Sequence, residues 1–123
     1  MHSHDLRGYP WDVANACRKL QAFSQSKTLT DYLADDLLRS AVERQLTIVG
    51  EALAQAERRF PDGITHISNT RQIIAFRNRI VHAYLQIDDP TVWGIVEDYV
   101  PRLLAEAEDL LSQLNAENDA EVK

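Results

Sequence analysis

The chain has 123 residues, 45% of them hydrophobic, four glycines and a net charge of −6, which fits one core-bearing domain and leaves too little chain for two. No apolar run approaches the roughly 20 residues that span a bilayer, and the N-terminal stretch has no apolar signal-type segment, so the expected location is cytoplasmic, with no membrane partner. The single Cys17 excludes an internal disulfide.

Residues 1–8 carry His2, His4 and Arg7 without periodicity and are read as a loose arm, as are residues 116–123. The first helix is expected from about Tyr9, with Pro10 in its first turn and Val13, Cys17 and Leu20 tracing an apolar stripe. Thr28 or Thr30 can cap the next helix, with Asp31 in its first turn. From there to about Phe60 the apolar stripe predicts one uninterrupted helix on the order of 45 Å long, with Leu33, Leu37, Leu38 and Val42 on its buried face.

Gly50 lies in the middle of this helix, where it costs about 1 kcal/mol relative to alanine. The expected compensation is close approach of another helix. Phe60-Pro61-Asp62-Gly63 stops the long helix.

Ser68 or Asn69 is expected to cap the following helix, which should run to about Leu85. Its stretch Ile-Ile-Ala-Phe-Arg-Asn-Arg-Ile-Val-His-Ala-Tyr, residues 73–84, sets Ile73, Ile74, Phe76, Ile80, Val81 and Tyr84 on one broad face with Arg77 in the middle. A guanidinium aimed into an apolar surface is costly unless paired or hydrated. Taken alone, the pattern is compatible with Arg77 snorkelling to a neighbouring carboxylate, for which Glu51 is the candidate, and with a solvated His82.

Asp88-Asp89-Pro90 signals another helix start. Val96, Val100, Leu103, Ala107, Leu110 and Leu114 then form a seam at steps of four and three. Pro101 interrupts it, predicting a kink or a division into two helices near that point. The whole reads as an all-α, up-down bundle of four to five helices.

Charge is unevenly spread. Residues 97–123 hold eight acids against Arg102 and Lys123, whereas Arg58, Arg59, Arg71, Arg77 and Arg79 between residues 57 and 79 face only Glu57 and Asp62. Net acidity argues against bulk electrostatic binding of nucleic acid, but that local basic stretch could hold a phosphate.

No glycine-rich phosphate loop, metal-ligand cluster or Ser/Cys nucleophile setting is visible. The inventory instead suits metal-free RNA cleavage, without a cofactor: the 2′-hydroxyl attacks the adjacent phosphorus and leaves a 2′,3′-cyclic phosphate and a 5′-hydroxyl. His82 has the side chain to exchange the proton and Arg77 the forked donors to hold phosphorane charge. Asn78, one turn before His82, could orient the imidazole or donate to phosphate, and Arg79 could contact RNA.

Helical positions five apart point about 140° away from each other, so one copy of a helix makes a poor site. Two copies facing across a twofold axis would bring both pairs into one cleft.

The run Arg77-x-x-x-x-His82-x-Tyr84 with Asn78 after the arginine, together with Gly50-Glu51-Ala52, resembles the HEPN superfamily, most closely the HepT toxins of HepT/MntA toxin-antitoxin pairs. The resemblance covers most of the chain. It implies a homodimer with the motif at the interface, an endoribonuclease toxin with Arg77 and His82 as its catalytic pair, and neutralisation by an MntA-like nucleotidyltransferase antitoxin that transfers AMP from ATP to Tyr84. A non-catalytic HEPN-type module that binds a nucleotide or a partner is the alternative.

Overall fold

The computed structural model describes residues 6–82 and 87–122, and among these every regular element is helical. Helix α1 spans Gly8–Ser24, α2 Leu29–Ala34, α3 Asp36–Arg59, α4 Thr70–Val81, α5 Asp89–Gly94 and α6 Val100–Val122, with a π-helical turn at Ile95–Tyr99 joining α5 to α6.

The expected long helix is two. Thr28 and Asp31 form a reciprocal capping box that starts α2. At Asp35 the backbone becomes extended (φ −125°, ψ 99°) and the carboxylate accepts the amide of Leu38, opening α3. Arg39 donates to the carbonyls of Tyr32 and Leu33, so the orphaned end of α2 is satisfied from the helix that follows. The break takes Leu33 and Leu37 off the buried face: Leu37 is 80% exposed, whereas Leu38 and Val42 are buried.

Helix α4 is shorter than expected, ending at Val81. His82 sits at its C-cap with ψ 81°, its amide still bonded to the carbonyl of Asn78. Val81 is 50% exposed, so the apolar stripe that would support another turn has run out.

At the other end Asn69 occupies the N-cap position in the left-handed region (φ 60°), but its side chain caps nothing. Its Oδ1 accepts instead from Nη2 of Arg102 at 2.5 Å. Beside it, the amide and hydroxyl of Ser68 bond the carboxylate of Glu106, and Tyr99 donates its hydroxyl to the Ser68 carbonyl at 2.6 Å. The start of α4 is thus tied to α6 rather than to its own first turn.

Near Pro101 the helical run is divided, as expected, but by a change of winding rather than a stop: α5 passes through the π turn into α6, which begins at Val100. The π turn just before it lets the Val100 amide reach the Ile95 carbonyl, and the helix continues through the proline. It runs on to Val122, past Asn115, where the sequence placed the start of a loose tail.

Helix α1 packs against α3 on one side and α6 on the other, and α3 also carries α4. Val13, Cys17, Leu20, Val42, Leu46, Val49, Val100 and Leu103 are all but completely buried between them. Among the described residues α4 and α6 make no close backbone approach. The four long helices therefore form a square closed on three sides.

Candidate active site

Gly50 is where α3 and α4 touch. A methyl group built there would lie 2.3 Å from Cβ and 2.7 Å from Cγ of Arg77, and 3.4 Å from the carbonyl oxygen of Ile73. Only a residue without a side chain admits the stem of Arg77 at that depth. The neighbouring residue, Glu51, meets the far end of the same side chain, with Oε1 3.3 Å from Nη2 of Arg77. On the other branch of the fork, Nη1 donates to Oδ1 of Asn78 at 2.7 Å.

Arg77 is therefore fixed at three points: its stem in the glycine gap and its two terminal nitrogens on Glu51 and Asn78. Its Nε is buried with no hydrogen-bond partner. The side chain keeps 28% of its surface exposed, and Glu51 keeps 43%. A guanidinium has five N–H donors; those on the exposed edge remain available to an anion. Glu51 holds the guanidinium in place at the cost of a negative charge beside any phosphate that binds there.

The pairing of Arg77 with Glu51 and the close approach at Gly50 agree with the sequence reading. Asn78 turns out to orient the arginine. Arg79 is exposed, and His82 is exposed at the helix end. The guanidinium is engaged with Glu51 and Asn78 rather than with His82, and the helical angle between positions 77 and 82 no longer applies, because His82 has left helical geometry. Tyr84, the expected modification site, lies outside the described residues.

Residues that the sequence reading passed over sit on the opposite flank of α4. The guanidinium of Arg102 lies 5.4 Å from the Tyr99 ring centroid and bonds Asn69. Burial pushes the Tyr99 hydroxyl well above its usual range, with Glu106 adding to the effect, so it remains a proton donor to Ser68. The one sequence signal for this cluster was Asn69, a residue type that tolerates a left-handed backbone.

Cys17 is buried in the core and its thiol is pushed up to about 12 by desolvation, which removes it as a nucleophile. No group of three or more metal-ligating side chains occurs among the described residues. No helix there is long and apolar enough to cross a membrane.

Comparison with known proteins places the chain in a family. A family model described as "HepT-like: Ribonuclease HepT-like" matches residues 13–110. The chain is 25% identical over 108 residues to "Putative RNase MJ1380" of Methanocaldococcus jannaschii, covering 88% of this chain and 98% of the relative. It is 24% identical over 119 residues to "Putative RNase MJ0127" of the same organism, covering 97% and 98%. With "Probable ribonuclease HepT" of Thermococcus cleftensis it shares 27% identity over 107 residues, covering 85% and 94%. No solved structure matches it significantly.

Proposed function

The chain belongs to the HepT-like ribonuclease family, and from that premise we propose that it is a metal-independent endoribonuclease toxin, acting as a homodimer with a composite site at the interface. The observation that supports this most directly is the three-point fixation of Arg77. A cation on a partly buried helix face, seated by a glycine and aimed by Glu51 and Asn78, is already oriented for an anion and has little rotamer freedom left to lose.

In this reading an RNA phosphodiester lies against the exposed edge of the guanidinium. The imidazole of His82 takes the proton from the 2′-hydroxyl, whose oxygen bonds phosphorus. The P–O5′ bond then breaks, and the leaving oxygen takes a proton from the protonated imidazole of the facing copy, which is left neutral. Arg77 holds the negative charge that accumulates on the phosphorane. Arg79 and the basic residues 58, 59 and 71 are candidate contacts for flanking phosphates or for the antitoxin.

Neutralisation completes the proposal. A nucleotidyltransferase partner, using ATP, adenylylates Tyr84 and places bulk and negative charge at the mouth of the cleft.

The test is cleavage of single-stranded RNA by purified Arg77→Ala and His82→Ala proteins, with circular dichroism as the check on folding. Loss of a single donor to an oxyanion costs roughly 100- to 1000-fold in rate, and each variant should lose at least that much while staying folded. A double variant that cuts as fast as the parent sinks the assignment. A folded parent that cuts nothing but binds ATP favours the partner-binding module. Labelling by ATP that depends on both the partner and Tyr84 tests the neutralisation step separately.

A further inference from the structure

The open side of the helical square contains a cavity of about 220 Å³ between α4 and the π turn leading into α6. Its walls are apolar, formed by Ile73, Phe76, Ile95 and the ring of Tyr99, and its rim is polar, formed by Asn69, Gln72 and Arg102. We propose that this cavity is a nucleobase subsite, receiving one base of the single-stranded RNA whose phosphate lies at Arg77; the proposal rests on the ribonuclease reading and adds a substrate-recognition element to it.

The chemistry of the lining favours a planar heterocycle. Such a ring has apolar faces and polar edges, and the cavity offers apolar walls below a rim of amides and a guanidinium. The amide of Gln72 can donate to and accept from a base edge, and unstacked RNA bases are commonly bound by a combination of aromatic contact and edge hydrogen bonds. A free phosphate would meet hydrocarbon on most sides, and a purely aliphatic occupant would leave the rim unused. The volume falls below the roughly 300–1,000 Å³ of pockets for larger ligands, which suits a single ring system.

The rim is held in place by contacts within the fold. Arg102 is positioned by Asn69 Oδ1 and by the Tyr99 ring, and Tyr99 in turn by the Ser68 carbonyl. The π turn supplies the far wall, with Ile95 and Tyr99, four positions apart and so on one face, both lining the cavity. Turns of this kind occur frequently at functional sites.

Position ties the cavity to the cleavage chemistry. Phe76 precedes Arg77 directly, so their Cα atoms are about 3.8 Å apart, and their side chains leave α4 about 100° apart. A strand crossing α4 can place a phosphate on one flank and its neighbouring base on the other.

The experiment is an amide-resonance titration of the isotope-labelled full chain with each of the four nucleoside 5′-monophosphates, paired with mapping of cut positions on a random-sequence single-stranded RNA. Shifts should centre on Gln72, Phe76, Ile95 and Arg102, and one base should be preferred. Gln72→Ala, at an exposed position, should weaken binding about tenfold and flatten the base preference beside the cut. Ile95→Trp should fill the cavity and abolish the shifts.

Silence of the cavity resonances into the millimolar range, or shifts confined to another surface, overturns the subsite. So does a base preference that Gln72→Ala leaves unchanged, or resonances at the cavity that move only on protein dilution, which would mark it as covered by a second copy. RNA cutting by a parent with a silent cavity removes the subsite and leaves the ribonuclease reading intact. Nucleotide binding at the cavity of a protein that cuts no RNA does the reverse.

Discussion

Helix α1 and helix α4 are both seated on α3, by different means. Helix α1 lies between α3 and α6 and contributes Val13, Ala14, Cys17 and Leu20, none with measurable exposure, so it is held by hydrocarbon on two sides. Among the described residues, helix α4 packs on α3 alone among the helices, buries Ile73 and Phe76, and is located by a glycine gap, an ion pair and a set of hydrogen bonds from Ser68 and Asn69, just before its first turn, to α6. Apolar burial fixes the first helix without regard to the direction of any one side chain. The second is located by contacts that set the direction of Arg77, as a binding site requires and a core does not.

Truncating the core should produce the largest effect on stability. Leu103 is fully buried on the α6 side, and Leu103→Ala is expected to cost about 2–5 kcal/mol from lost transfer energy and the cavity left behind. Urea unfolding should show a lower midpoint with an unchanged slope. A cost below 1 kcal/mol would mean that the α1–α6 side is as loosely held as α4 and would break the comparison.

Gly50→Ala attacks the other seat. The added methyl would fall on Cβ and Cγ of Arg77, which cannot swing aside without moving the α4 backbone. Overpacking of this kind costs about 1–3 kcal/mol, offset by about 1 kcal/mol of improved helix propensity, so the net loss should be small beside that of Leu103→Ala. The activity loss should be large, because displacing α4 separates Arg77 from Glu51. Nuclease activity lost with stability nearly kept is the expected signature, and full activity in this variant would show that the gap is incidental.

The next prediction concerns the break at Asp35, where the sequence reading and the structure diverge. Replacing this N-cap by alanine should cost about 1 kcal/mol, read as a shift in urea midpoint, because the Leu38 amide loses its acceptor. The break was hard to read because Leu33, Leu37, Leu38 and Val42 keep helical spacing across it, and periodicity cannot show that a carboxylate has interrupted the backbone. By contrast, the Gly50–Arg77 contact and the Glu51 pairing were legible, since a glycine in mid-helix and a cation on an apolar stripe each need a compensating neighbour. The early end of α4 was not, because Val81 continues the apolar pattern although it is 50% exposed and has no core to pack on. The Asn69–Arg102–Tyr99 cluster depends on a bond between residues 33 positions apart, and its one local trace was Asn69 itself. The all-helical class followed from the 3.6-residue pattern along the chain.

The smallest expected effect comes from a charge on α3 on neither seat. Burial raises the Glu43 carboxyl above its ordinary value, nearby Asp89 adds to the rise, and Arg39 partly offsets it. A group whose pKa is higher in the folded state binds its proton more tightly there. Its contribution to stability is therefore fully present below the ordinary glutamate value of about 4.3 and is lost as pH rises through the raised one. Glu43→Gln removes that loss, so its melting temperature should exceed the parent's at pH 7, and this advantage should vanish near pH 4. Because the side chain is half-buried rather than sealed from solvent, the gain should be modest. An advantage of equal size at both pH values would assign it to packing rather than charge and would place Glu43 with the apolar seat of α1. A gain confined to neutral pH would show that α3 also carries a strained charge at its junction with α2 and α5, outside both helix seats.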